Sequence, residues 1–186
     1  MISKKITFVI SILLILSSFI FADDPPKFKY IGAEACGKCH KSEGQGRQLI
    51  IWKESLHSHT FQTLKSDEAI KIANDLGYEK APTELYECLI CHASGHDVDS
   101  TVLEKGFKIE DGIQCESCHG PGSEYKAIKI MKSRNLAIQN GLVKVFENTE
   151  SFCRDCHNPD SPTFSGFNFE TAWSKIQHYI PVKKNE

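Results

Sequence analysis

Past residue 22 the sequence has no apolar run long enough to cross a bilayer, which removes a polytopic membrane protein from the options. It has no surplus of basic charge either. With residues 1–22 set aside, 20 basic side chains face 24 acidic ones, neither sign gathers into a stripe, and nothing points to a nucleic-acid partner. Methionine is nearly missing: beyond the initiating residue there is only Met131. Apolar clusters such as Leu49-Ile50-Ile51-Trp52 and Ile128-Lys129-Ile130-Met131 are short and few, too sparse for a conventional side-chain core.

What is apolar lies at the N-terminus. Lys4 and Lys5 precede an apolar stretch from Ile6 to about Phe21, small residues lie near its end at Ser17, Ser18 and Ala22, and Asp23-Asp24-Pro25-Pro26 then breaks any helix. This pattern predicts a secretory signal peptide over residues 1–22, cleaved after Ala22, and a mature domain over 23–186. An uncleaved segment anchoring the protein to the membrane is the alternative. No cysteine lies near the cleavage point, so lipid attachment there is excluded.

Eight cysteines in an exported chain would ordinarily suggest four disulfides. Their spacing rejects that. All eight fall into four copies of Cys-x-x-Cys-His: Cys36, Cys39, His40; Cys88, Cys91, His92; Cys115, Cys118, His119; and Cys153, Cys156, His157. Two thiols three positions apart span about one helical turn and reach both vinyl groups on one porphyrin edge, and the following His turns its imidazole under the iron. One such motif alone would be compatible with zinc or thiol redox chemistry. Four copies with no cysteine left over, behind an export signal, point to four covalent c-type hemes. At about forty residues per heme, the porphyrin faces are expected to supply much of the buried apolar area, at about 25 cal/mol per Å². The chain without heme is expected not to fold.

The expected fold class is mostly α: a small single-domain multiheme cytochrome whose helices and loops wrap around four stacked hemes. A helix is predicted over about 48–64, carrying Trp52, His57 and His59. A shorter one runs from the N-cap Ser66 through Asp75 and is closed by Gly77. Residues 95–112 read as a loop or short hairpin with Val102 and Phe107 turned inward. Gly120-Pro121-Gly122 makes a sharp turn, after which Ser123 is expected to cap the longest helix, through about Gln139 and closed by Gly141. A Pro- and Ser-rich turn over 158–165 leads to a final helix from Asn168, carrying Phe169, Trp173, Ile176 and His178.

Four hemes offer eight axial positions, and the chain has eight histidines. His40, His92, His119 and His157 are the proximal ones; His57, His59, His96 and His178 are the candidates for the distal side. On a helix His57 and His59 stand about 200° apart, so they would serve two different hemes. His96 follows His92 too closely to reach round to the same iron, and its options are a neighbouring heme or a solvated loop. Met131 allows at most one His/Met heme, and core packing is its expected role. Saturated bis-His iron suits outer-sphere electron transfer, whereas an iron with only its proximal His would bind a small nitrogen or oxygen ligand.

At Tyr30-Ile-Gly-Ala-Glu-Ala-Cys36, Trp52-Lys-Glu-Ser-Leu-His57, Gly112-Ile-Gln-Cys-Glu-Ser-Cys-His-Gly-Pro-Gly122 and Phe167-Asn-Phe-Glu170, the sequence resembles the cytochrome c-554 family of tetraheme cytochromes. The resemblance implies closely stacked hemes and electron acceptance from a periplasmic redox enzyme such as hydroxylamine oxidoreductase. It also implies that His57 and His178 are distal ligands and that the heme on Cys88, Cys91 and His92 is five-coordinate. The family's histidine after the Gly-Pro-Gly turn is missing here, where Ser123-Glu-Tyr-Lys-Ala-Ile-Lys129 stands; His59 and His96 are the available replacements.

The expectation is therefore a periplasmic (or extracellular) electron carrier, not an enzyme, shuttling between a redox enzyme and the respiratory chain through redox partner proteins. Two rivals stand beside it: an open-heme enzyme acting on nitric oxide or hydroxylamine, for which the sequence offers no dedicated acid–base set, and a homo-oligomeric subunit of a conductive filament.

Overall fold

The computed structural model describes residues 28–143 and 145–179; the expected signal peptide lies outside them. Among the described residues there are ten short α-helices, α1 (Ala33–Gly37), α2 (Gln48–Glu54), α3 (Thr60–Thr63), α4 (Asp67–Asp75), α5 (Tyr86–His92), α6 (Cys115–His119), α7 (Ile128–Met131), α8 (Arg134–Gln139), α9 (Thr149–Arg154) and α10 (Phe169–Ile176), linked by 3-10 turns and loops. The one β pairing among them is a single parallel bridge between Tyr30 and Leu103. Helices this short are marginal on their own. α1, α5, α6 and α9 each carry at least the first cysteine of a motif.

Local chemistry explains where the helices begin and end. Ser66 Oγ accepts from the Ala69 amide at 3.1 Å and starts α4, and Gly77, at φ 84°, ends it. Removing this cap by Ser66→Ala is expected to cost about 1 kcal/mol, read as a lower urea midpoint with an unchanged slope. Asn168 Oδ1 caps α10 through the Thr171 amide at 2.9 Å. Gly141, at φ 101°, closes α8.

Three expectations need correction. The helix expected over 48–64 breaks at Ser55, which is extended (ψ 159°), and residues Leu56–His59 form a 3-10 turn. The break lets the His57 carbonyl accept from the Ile113 amide at 3.0 Å, a tertiary bond that a continuing helix would forbid. The helix expected from Ser123 is instead two short ones, α7 and α8, and the cap is Ser133. Ser123 is occupied elsewhere: its hydroxyl accepts from the Lys29 amide at 2.9 Å and its amide donates to the Lys29 carbonyl at 3.1 Å. His178 lies two residues beyond α10 rather than on it, since Gln177 turns extended (ψ 139°).

The 95–112 segment is a loop with two 3-10 turns. Val102 is buried, and the Phe107 ring packs edge-on against Tyr30 with centroids 5.8 Å apart.

The side-chain core is thin. Its buried apolar members include four alanines and only a few large residues, among them Ile31, Leu49, Phe61 and Leu64. Meanwhile Leu56 and Ile128 are 85% and 66% exposed.

Candidate heme centres

The third motif is the hub. Its helix α6 carries Glu116, which is buried at 2% exposure. The Glu116 carboxylate accepts from the amides of Ile31 (2.9 Å), Gly32 (2.8 Å) and Gly122 (2.7 Å). Gln114, equally buried, accepts from the Ala33 amide at 2.9 Å and donates to the Lys108 carbonyl at 2.8 Å. Two side chains flanking Cys115 therefore bind the segment that leads directly into the first motif. Tyr125, also buried, donates to the Gly120 carbonyl at 2.8 Å and fixes the turn after His119.

The thiols give the motifs an order in space. Cys36 and Cys115 are within hydrogen-bond reach, and that contact together with burial holds the Cys36 thiol well above its usual range. Cys118 faces Cys153, and burial pushes it up to about 11. Cys156 is half-buried within hydrogen-bond reach of Cys91 and is raised to about 12. The neighbours thus run first, third, fourth, second motif. His40 lies close enough to His119 to act on its charge, which agrees with the first step of that order.

Two of the expected distal histidines stand opposite proximal ones. The rings of His119 and His178 have centroids 5.9 Å apart, and those of His57 and His157 are 6.1 Å apart. A metal between two imidazole nitrogens, at about 2 Å from each, holds ring centres about 6 Å apart; both pairs fit a bis-His iron. Burial, helped by the charges of His178 and His40, pulls His119 down to about 4. Burial and His157 lower His57, and partial burial lowers the more exposed His157. In His119, His57 and His157 these shifts favour the neutral form, the state a metal ligand requires.

Nδ1 contacts fix further rings. His178 Nδ1 donates to the Ile176 carbonyl and His96 Nδ1 to the Ala93 carbonyl, both at 2.9 Å, which leaves each Nε2 lone pair free. The His96 Nε2 is buried with no hydrogen-bond partner. Its ring packs on Tyr86 at 5.4 Å. Along α5, steps of about 100° put Tyr86 on the side away from Cys88, Cys91 and His92. His59 is exposed. Phe167 stacks on His157 with centroids 4.7 Å apart and planes at 10°, under the Arg154 guanidinium.

The sequence reading gave no role to several positioning residues: Glu116, Gln114 and Phe167, which it met only within stretches of family resemblance, and Gly46, Thr60 and Thr63. A Cβ on Gly46, which has φ 93°, would run into the Tyr179 carbonyl beside His178. The available signals were an acidic residue inside a motif and a glycine in a polar loop, and neither names its distant partner.

Motif set and helical scaffold together have the form of a multiheme c-type cytochrome, with paired cysteines spaced for covalent heme. The family model described as "Cytochrome c554 and c-prime" matches residues 35–120. Cytochrome c-554 of Nitrosomonas europaea is 31% identical over 103 residues, 51% of this chain and 40% of that protein. The chain thus matches less than half the length of that relative. The structure of reduced cytochrome c554 from the same organism superposes with a TM-score of 0.51 at 23% identity, covering 80% of this chain and 78% of that one, which shows the shared fold. The chain is similar to the cytochrome c-554 family over the segment that holds its first three motifs.

Proposed function

We propose that the chain is an exported periplasmic electron carrier with four c hemes, bound at Cys36/Cys39, Cys88/Cys91, Cys115/Cys118 and Cys153/Cys156. Iron would be held between His119 and His178 at the third motif and between His157 and His57 at the fourth. His40 and His92 are the proximal ligands of the first and second. His96 is assigned to the first-motif iron: its segment abuts Phe107, whose backbone packs on Gly32 just before Cys36, while it faces away from the attachment side of its own motif. That leaves the second-motif iron with His92 alone, and His59 without a role inside the chain.

The two histidine pairs near 6 Å carry this reading, because saturated irons donate and accept electrons without binding substrate. The order of the motifs supports passage from the first through the third and fourth to the second, between redox partner proteins docking at the two ends.

Electron paramagnetic resonance of the oxidised holoprotein, with and without nitric oxide, tests the assignment. Three low-spin irons and one high-spin iron that responds to nitric oxide are expected. Steady turnover of hydroxylamine or nitric oxide that depends on the second-motif heme would replace the carrier by an enzyme.

A further inference from the structure

The surroundings of His92 go beyond ligand assignment. Its Nδ1 lies 2.9 Å from the Thr60 carbonyl oxygen and 3.2 Å from Thr63 Oγ1. A carbonyl only accepts, so Nδ1 carries the proton and Nε2 keeps its lone pair. The Thr63 hydroxyl donates its own proton to the same Thr60 carbonyl at 2.6 Å. Its lone pairs are therefore what it turns to the imidazole, and the Nδ1–H is shared between two acceptors. The backbone is locked as well: the Thr60 hydroxyl lies 2.9 Å from the His57 carbonyl and 3.0 Å from the His92 carbonyl, and it accepts from the Ile113 amide at 3.1 Å. One helical turn, α3, thus grips a motif histidine at its ring and at its main chain.

Hydrogen bonds accepted from the outer nitrogen of a ligating histidine fix its orientation and raise its basicity, and such contacts are a main lever on heme potential. We propose that Thr63 is a tuning residue. Its hydroxyl, acting with the Thr60 carbonyl, makes His92 a strong donor and holds the second-motif heme at a lower potential than one acceptor would. This rests on His92 being the proximal ligand of that heme. The reduced heme is then the more electron-donating one at its end of the motif order, and the effect comes from a side chain at the exposed edge of the fold rather than from the motif itself.

The test is made on holoprotein carrying Thr63→Val, which keeps the shape and removes the acceptor, and Thr63→Ser, which restores it. Spectroelectrochemical titration of Thr63→Val should show one heme of the four shifted to higher potential with the other three unmoved. The iron–histidine stretching band of the reduced protein, which reports the iron held by His92 alone, should move to lower frequency. Thr63→Ser should match the wild type in both readings. An unshifted Thr63→Val, or a Thr63→Ser that shifts as valine does, overturns the proposal. The covalent heme count separates the two levels of the inference: fewer than four hemes on the wild-type chain would sink the motif reading itself, independently of Thr63.

Discussion

Replacing Glu116 by alanine should lower the stability of the holoprotein by at least about 3 kcal/mol. The reason is an imbalance of donors. Three backbone amides, from Ile31, Gly32 and Gly122, point at one buried carboxylate, and alanine offers none of them an acceptor. Each buried amide left unpaired costs about 1–3 kcal/mol, and a cavity adds to that. Glu116→Gln should fall in between, since its amide keeps one acceptor oxygen but turns an N–H toward amides that also donate. Guanidinium unfolding followed by heme absorbance gives the difference. The damage should also be directional, with the first motif loosening before the others, because Ile31 and Gly32 lead straight into Cys36.

A pH effect accompanies it. Burial raises the Glu116 carboxyl despite the pull of the three amides. The folded state therefore holds this proton more tightly than the unfolded chain. The contribution from that difference is full below the ordinary carboxylate range and is lost as pH rises through the folded value. In Glu116→Gln this component of the pH dependence should vanish, which a stability profile between mildly acid and neutral pH would register. An unchanged profile would mean that the amides cancel burial, and a change of the opposite sign that they outweigh it.

The second large effect concerns Gly46→Ala. Gly46 follows the 3-10 turn Glu43–Gln45 in a left-handed conformation at φ 93°. An alanine there is strained by about 1–2 kcal/mol, and its methyl group has no room beside the Tyr179 carbonyl. The segment next to that carbonyl carries His178. Pushing it outward should separate His178 from His119 and cost the third-motif iron its sixth ligand. A new high-spin signal from one heme is expected in the oxidised protein, with an intact heme count. His178→Ala should give the same signal without the strain, which identifies the origin of the change. Gly46→Ala spectra identical to the wild type would mean that the C-terminal segment is not held by this contact.

How much of this was legible in the sequence depended on the range of each interaction. The motifs are local, since the spacing of two thiols and a histidine is set by one helical turn, and they could be read directly. Ser66, Asn168, Gly77 and Gly141 act on their own helices, and they too stood where the residue types placed them. The helix over 48–64 and the cap at Ser123 were misread because the decisive bonds reach distant residues: the Ile113 amide meets the His57 carbonyl, and Lys29 meets Ser123. His178 looked helical because Trp173 and Ile176 set a helical rhythm, yet the chain opens at Gln177 and turns its Nδ1 onto the Ile176 carbonyl. The partners of the distal histidines were beyond the sequence for the same reason. Nothing within a few residues of His57 announces His157, a hundred positions on.

The claim on which the rest depends is that all four motifs hold heme. Intact mass of the exported, denatured protein tests it most directly. The account predicts one species, carrying the mass of four hemes that survive acid–acetone extraction. A chain with fewer than four hemes, or with heme that the extraction removes, would contradict it.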